Sequence, residues 1–542
     1  MTTARIVPDR ARGNWCVQLH LFGGGTTYRD LARARMGVVG GQEAVYCLRA
    51  QEYRQNMAYA SFQDFLERLQ AAGELREIDE RVSPHLEITE IADRVMKMPG
   101  GGPALLFTRP DGFDVPVAIN VFGSRKRMSW ALGVEDYEEI AAEIERLLRP
   151  EIPAGLTGKL RMLGPLRRLA SSPPRKVSSG ICQEVVHLGD EANLSMLPVL
   201  HCWPEDGGPF ITLPLVFTYD PTTGKRNVGM YRIQIYDERT TGLHWQLHKV
   251  GAEHHRLHEE QAAAEQRYHV AIALGGDPVY TFCAAAPLPP AIDEMLFAGF
   301  LRRQPVPMVR CKTVDVDVPA DCEFVIEGYV NPSERRPEGP FGDHTGFYTP
   351  VEPYPVLHVT AITHRQKPVY PATIVGRPPM EDAWIGKAVE RIFLPMIRLT
   401  LPELVDMNLP VEACFHNLAL VSIRKRYPGH AFKVMNALWG LGQLMFTKMI
   451  FVFDADVNVQ NLSECLWILS NNLDPERDML VTRGPVDVLD HASRATGFGS
   501  KIGFDCTRKL PEEGHHRPWP EPIRMSPQVK AKVDALWSKL GL

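Results

Sequence analysis

Helical spacing first shows in S-F-Q-D-F-L-E-R-L-Q (61–70), where Phe62, Phe65, Leu66 and Leu69 share one face of a 3.6-residue period. Ser61 suits the N-cap, Asp64 follows three positions on, and Gly73 suits the stop, so a helix is predicted here. A second helix is predicted from Ser83-Pro84, and a third over roughly 135–148 with Tyr137, Ile140, Ile144 and Leu147 turned inward. Strand-like runs at 104–107 and 115–120 lie between them, which together predict an α/β unit. Residues 150–175, rich in Pro, Gly, Leu and Arg, read as a linker. From about 180 to 375 the pattern turns to β, as in I-T-L-P-L-V-F-T-Y, N-V-G-M-Y-R-I-Q-I-Y, L-H-W-Q-L-H and Y-H-V-A-I-A-L. A single helix, near 290–302, is expected to interrupt it. After about 380 helix and strand alternate, with M-I-F-V-F-D (449–454) a buried strand followed by a helix through Leu462, Leu466 and Leu469. Residues 1–56 carry no clear period and are expected to be a poorly structured, dispensable extension, with Met57 a possible true start.

The 542-residue length exceeds one ordinary core. Hydrophobic content of 44% and charged content of 23% belong to a soluble globular protein. A formal net charge of -5 offers no general attraction to nucleic acid or anionic lipid. Ten scattered cysteines without a CxxC pair suit reduced thiols in a cytoplasmic protein. No apolar run of about 18 residues predicts a membrane span, and the N-terminal text lacks a signal peptide's apolar core.

Two stretches suggest chemistry. In P-E-G-P-F-G-D-H-T-G-F-Y (337–348), Glu338 and Asp343 lie among three glycines and two prolines, a composition that helices and strand interiors reject. Two acids are therefore held on a shaped loop, with His344 directly after the second. The stretch 226–249 is predicted to be a hairpin turning at D-E-R-T-T-G. Its second arm would place His244, Gln246 and His248 on one face and Leu243, Trp245 and Leu247 on the other. Arg232 has opposite parity to Asn227, so both reach one site only if the strand bends or bulges. Taken alone, Glu294 in a first helical turn need only complement the helix dipole, His248 need only face water, and Asn227 and Arg232 are a turn residue and a solvated charge. Taken together, amide oxygen, imidazole and carboxylate form a mixed set suited to Mn²⁺ or Mg²⁺ rather than to structural zinc.

Four separated motifs carry a resemblance: N-V-G-M-Y-R, H-W-Q-L-H, E-M-L-F-A-G and P-E-G-P-F-G-D-H-T-G. With H-C-W-P-E-D (201–206), G-R-P-P (376–379), K-R-Y-P-G-H-A (425–431) and G-F-G-S-K-I-G-F-D (497–505), they are similar to the successive motifs of the UbiD-like decarboxylases, from about residue 60 onward. The resemblance implies an α/β multidomain fold. Its parts would be an N-terminal α/β domain and linker (57–175), a central split β-barrel of flavin-reductase type (176–378), a C-terminal α/β oligomerisation domain (379–525) and a final helix (526–542). It implies prenylated FMN, with its phosphate on Mn²⁺ or Mg²⁺ and K⁺ nearby. By position, Asn227, His248 and Glu294 match the metal ligands, and Met230, Tyr231, Arg232, His244, Trp245, Gln246 and Lys249 match cofactor-contacting segments. Arg232, Glu338 and Asp343 match the catalytic group. Asp343 is assigned proton donation to carbon, which requires a pKa raised by burial, while Glu338 would pair with Arg232 and have its pKa lowered.

The implied activity is non-oxidative decarboxylation of an aromatic or α,β-unsaturated carboxylic acid, with 4-hydroxy-3-polyprenylbenzoate of ubiquinone formation first and a naphthoate precursor of menaquinone or another aromatic acid second. Partners would be a prenyl-FMN synthase as supplier and further copies of the chain, with at most peripheral membrane contact. An FMN oxidoreductase and a catalytically idle assembly subunit are the competing classes; the first leaves the two acids of 337–348 without a task and would bleach anaerobically with NAD(P)H. H-W-Q-L-H lacks the adjacent Glu of zinc proteases, H-H-R-L-H (254–258) is expected as an exposed loop or helix start, D-A-D-V-N (454–458) as an acidic turn, and Lys425 as a solvated surface residue.

Overall fold

The first helix forms as its apolar spacing requires: Phe62–Ala71 buries Phe62, Phe65, Leu66 and Leu69, and Ser61 caps it by accepting from the Asp64 N–H. The computed structural model describes residues 3–9, 14–20, 58–148, 172–246, 249–261, 266–289 and 292–541; Met57 lies outside them. The chain forms two units, 1–55 and 56–542. In the first, strands Thr3–Asp9 and Asn14–His20 pair as an antiparallel hairpin. In the second, Leu75–Ile78, Ala104–Phe107, Val117–Ile119 and Tyr370–Ala372 build a four-stranded sheet whose last strand comes from far along the chain. Helices Glu87–Met96, Arg125–Ala131 and Glu138–Leu148 accompany it. The predicted helix at Ser83 begins only at Glu87, because the Ser83 backbone is held outside the helix by the Glu87 carboxylate, 2.8 Å away.

The central sheet has nine strands. In spatial order they are Arg226–Gly229, Leu215–Tyr219, Tyr268–Leu274, Phe324–Glu338, Glu352–His364, Thr240–Leu243, Ile233–Ile235 and Phe210–Ile211, with Val185–Leu188 also paired to Glu352–His364. Arg226–Gly229 forms one edge and Ile233–Ile235 lies next to the other, yet only residues 230–232 separate them in the chain. Six intervals of a flat sheet would span about 29 Å, whereas the connecting backbone reaches at most about 14 Å. The sheet must therefore curl until its two ends nearly meet, and Met230, Tyr231 and Arg232 bridge the gap. Its inner residues, among them Val216, Ile272, Ile326 and Leu357, share one core with Ile88, Leu105 and Phe107 of the preceding α/β unit.

Among the described residues three α-helices, not one, interrupt this β region: Val250–Gln261, Val279–Ala285 and Glu294–Arg302. The first escapes a hydrophobic-period reading because its inward face is made of His254, His255 and His258. That run is thus a buried helix face rather than an exposed loop, with His254 Nδ1 at 3.3 Å from Thr218 Oγ1 and His258 Nε2 at 2.8 Å from the Gln266 carbonyl.

Beyond residue 380, strands Leu404–Asn408, Leu418–Ile423, Met449–Asp454, Phe498–Asp505 and Met479–Pro485 form a five-stranded sheet, parallel at its centre. Helix Leu462–Asn472 turns Cys465 inward and leaves Leu462 and Leu466 exposed. Asp456 of the acidic turn pairs with Arg508, 2.9 Å away. Lys425 is not a solvated surface residue: its side chain is 5% exposed, and the ammonium donates to Thr507 Oγ1 at 2.9 Å, the Arg508 carbonyl at 3.1 Å and Glu513 at 2.5 Å.

Candidate active site

Strand Phe324–Glu338 ends at Glu338, and Phe341–Gly342 turns back to pair with Tyr348–Thr349. Gly339 and Gly346 lie at φ +96° and +81°, a region that favours glycine. A Cβ on Gly342 would stand 2.3 Å from Trp203, whose indole is anchored to the Val375 carbonyl at 2.8 Å. The loop backbone is tied down at both ends: the Gly342 N–H donates to Asp206 at 2.7 Å and the Gly339 N–H to Gln234 at 2.8 Å. Glu338 and Asp343 are both buried as a result.

Arg232 joins them. Its Nε and Nη2 donate to the two oxygens of Glu338 at 2.9 and 3.1 Å, Nη1 pairs with Asp343, and Nη2 also reaches Thr349 Oγ1 at 3.0 Å. The guanidinium centre lies 4.7 Å from the Phe341 ring centroid. Arg232 can turn here because it belongs to the corner between the sheet's two ends rather than to a continuous strand, which resolves its parity conflict with Asn227. His244 closes the cluster, with Nδ1 at 3.1 Å from Glu338 Oε2. A hairpin turns at the predicted D-E-R-T-T-G, Ile233 facing Leu243 and Ile235 facing Thr241, but it does not span 226–249: Arg226–Gly229 pairs instead with Leu215–Tyr219. The hairpin's second arm, however, ends at Leu243, so the predicted alternation fails and His244 and Trp245 are both buried.

Electrostatics follow from these contacts. Burial alone would raise the Glu338 pKa, but the hydrogen bonds from His244 and Arg232 outweigh it and hold the group at about 2. Asp343 is likewise pushed up by burial, yet His344 and Arg232 together hold it below the carboxylate range. Burial and the Arg232 charge push His244 down, outweighing the Glu338 and Asp343 carboxylates.

On the neighbouring edge strand, Asn227 Nδ2 donates to Thr218 Oγ1 at 3.4 Å, and the Val228 N–H donates to Glu294 at 3.0 Å. Asp293 caps the Glu294–Arg302 helix and engages Arg226 at 2.8 and 3.0 Å. Burial pushes Glu294 up to about 7. His248 lies outside the described residues, and among the described residues no group of three or more His, Cys, Asp or Glu forms a metal site. Met230 donates its N–H to the Ala284 carbonyl at 3.3 Å, Tyr231 is buried with its hydroxyl accepting from the Gly251 N–H at 3.4 Å, and the Lys249 N–H donates to the Gln246 carbonyl at 2.9 Å. Burial pushes the Lys249 amine down. The Nε2 of His244 and the Nε1 of Trp245 are buried polar atoms without a hydrogen-bond partner among the described residues.

Two histidines complete the cluster. His344 donates its N–H to Asp343 Oδ1 at 2.7 Å, and its Nδ1 lies 2.8 Å from the same oxygen. Its Nε2 stands 2.8 Å from His416 Nε2. Phe415 stacks on His344 at 5.4 Å and 22°. Cys414 and Phe415 hold φ of +54° and +46°, uncommon for residues with a side chain, and this turn brings His416 to the site. The adjacency of His344 to Asp343 is visible in sequence; His416, 72 positions away, carries no local signal.

Models of the 3-octaprenyl-4-hydroxybenzoate carboxy-lyase N-terminal, Rift-related and C-terminal domains match residues 66–147, 175–378 and 383–506. An uncharacterized protein of Aquifex aeolicus is 52% identical over 485 residues, 89% of this chain and 99% of that one. The chain belongs to the UbiD family of carboxy-lyases. Among solved UbiD-class structures, vanillic acid decarboxylase of Sedimentibacter hydroxybenzoicus in its closed form has a TM-score of 0.77 at 26% identity, covering 89% of this chain and 99% of that one. An evolved dimeric form of HmfF from Pelotomaculum thermopropionicum, in complex with prFMN, has a TM-score of 0.71 at 26% identity, covering 87% and 98%. Against the expectation from the sequence, the Asp343 pKa is not raised: its contacts with His344 and Arg232 overcome its burial.

Proposed function

We propose that this carboxy-lyase removes CO₂, without net oxidation, from a ring-hydroxylated aromatic acid, using prenylated FMN and a divalent metal, Mn²⁺ or Mg²⁺. What supports it is the buried Arg232–Glu338–Asp343 cluster at the mouth of the sheet's gap: one fixed cation for a substrate carboxylate beside two acids. The unpartnered His244 Nε2 and Trp245 Nε1 fit a polar ring system, and Glu294, half-buried and in no described ion pair, fits a cation that would keep it ionised. Asn227, His248 and Glu294 would hold the metal with K⁺ nearby, and Met230, Tyr231, Arg232, His244, Trp245, Gln246 and Lys249 the flavin. Bound prenylated FMN supplies an electron sink for the electrons left when CO₂ departs from an sp² carbon.

The chain's residues supply the rest. Arg232 orients the substrate carboxylate, Glu338 fixes Arg232 through the two-point fork and His244 through Nδ1, and Asp343 delivers a proton to the carbon that lost CO₂. Burial of both acids excludes water from the leaving group. Ring hydroxylation is supported by the carboxy-lyase description of the matching family models and by the vanillic acid enzyme's likeness. Within that class, 4-hydroxy-3-polyprenylbenzoate is the first substrate to test and a naphthoate precursor of menaquinone the second. Among the described residues no helix is long and apolar enough to cross a membrane, so a polyprenyl substrate implies at most peripheral contact. A homo-oligomer is supported by the dimeric HmfF form and by the exposed Val529, Val533, Leu536 and Trp537 on the last helix, Pro527–Trp537.

The test is purification after co-expression with a prenyl-FMN synthase, followed by CO₂ release from a panel of hydroxylated and plain aromatic acids. Release should need both the synthase and Mn²⁺. Equal release without either would exclude this chemistry.

A further inference from the structure

Donation of a proton by Asp343 requires a neutral acid, yet Asp343 sits between the Arg232 guanidinium and the His344 imidazole. Its Oδ2 pairs with Arg232, and its Oδ1 takes the His344 N–H at 2.7 Å and faces His344 Nδ1 at 2.8 Å. Taking a proton from bulk water against this arrangement is unfavourable. Taking it from His344 is not, because the transfer neutralises an adjacent ion pair rather than a lone carboxylate.

The second ring fixes the protonation of the first. His344 Nε2 and His416 Nε2, 2.8 Å apart, must be one donor and one acceptor. His344 touches an acid, whereas His416 is in no described ion pair. We assign the hydrogen between the rings to His344, with His416 accepting through its Nε2 lone pair and carrying its own hydrogen on Nδ1, a buried atom with no hydrogen-bond partner among the described residues. The surrounding charges agree. Burial lowers His344, but Asp343, Asp382 and Asp487 raise it, with a net upward shift. His416 is pushed down by burial, by His344 and by Lys249, against Asp487 and Asp343. Arg232 lies beyond Asp343, and Phe415 covers the His344 ring. The left-handed backbone at Cys414 and Phe415 is a strained device that holds His416 in contact.

We propose that His344 is the proton reservoir of Asp343: a doubly protonated imidazole, kept so by the Nε2 lone pair of His416, that passes its Nδ1 proton to Asp343 as CO₂ leaves. This rests on the decarboxylase reading. As the carboxylate departs as CO₂, the His344 Nδ1–H bond breaks and an Asp343 Oδ1–H bond forms. That O–H bond then breaks as the new C–H bond forms. His344 is left neutral, and water restores its proton before the next turnover; no electron is gained or lost overall. His344 and His416 are positioning residues, since both act through Asp343.

One arm of the test needs no cofactor. Exchange of the imidazole C2 hydrogen, followed by mass spectrometry on the full unloaded chain, reports the titration of each histidine. The His344 midpoint should lie above that of an exposed histidine and should fall in both Asp343→Asn and His416→Leu. A midpoint at or below the ordinary value overturns the proposal. The second arm uses enzyme loaded with prenylated FMN. His344→Gln should lower kcat on the order of 100-fold with KM nearly unchanged. His416→Leu should move the alkaline fall of kcat to lower pH, because a raised His344 supplies protons only below its folded-state pKa. Wild-type kcat and an unmoved alkaline limb in His344→Gln also overturn it. Failure of the decarboxylase reading shows separately, as no CO₂ release by wild type, and the exchange arm then decides the state of His344 by itself.

Discussion

Glu338 shows how far neighbours outweigh burial. Its folded pKa of about 2 lies below the ordinary value of about 4.3. The stability it contributes is thus fully present above pH about 4.3 and is lost as pH falls towards about 2. Glu338→Gln should therefore be less stable than wild type at neutral pH, and the gap should close on acidification; urea unfolding at several pH values measures it. Arg232→Gln strands two buried carboxylates, an arrangement that costs about 3–5 kcal/mol. A fall in unfolding midpoint of that order, together with a loss of at least about 100-fold in kcat/KM, is expected. Unchanged stability would contradict the ion-pair geometry. At this scale the sequence names the charged partners but not their protonation. Asp343 illustrates why: burial and ion pairing act in opposite directions, and only the contacts with Arg232 and His344 decide between them.

The turn at 339–348 and the helix at 294–302 are the elements that carry the proposed site. Gly342→Ala would drive a methyl into Trp203, 2.3 Å away, and overpacking of this kind costs about 1–3 kcal/mol. Since the same turn positions Asp343, calorimetry should show a lower melting temperature and the CO₂ assay a larger loss than the stability change explains. Asp293→Ala removes the N-cap of the Glu294 helix, worth about 1 kcal/mol, and frees Arg226 to compete for Glu294. Mn²⁺ titration should then show weaker binding, with Asp293→Ser restoring the cap but not the ion pair. Elements with dense apolar periods, such as Phe62–Ala71 and Met449–Asp454, were legible from their text. Val250–Gln261 was not, since buried histidines replaced the aliphatic residues that a period count looks for.

Across the molecule, the curl of the nine-stranded sheet decides what can meet. It brings the edge strand with Asn227 near Ile233–Ile235, the strand that follows Arg232, although the two lie near opposite ends of the strand order. A metal bound between Asn227 and Glu294 would clasp one edge of that curl. Saturation at 100 times the dissociation constant would add about 2.7 kcal/mol, so chelation should lower the melting temperature of the Mn²⁺-bound protein and Mn²⁺ should restore it. No response to either addition would count against the metal assignment.

The text of the chain determined the α/β succession, the hairpin turn at 237–242 and the grouping of Arg232 with Glu338 and Asp343, because apolar periods, turn residues and motif spacings are local properties. Only the tertiary structure decided that the sheet closes on itself, that the Lys425 side chain is buried among acceptors, and that His416 reaches His344 from 72 positions away. Those are outcomes of long-range packing, in which a residue's charge state and partners depend on which distant segments exclude water around it.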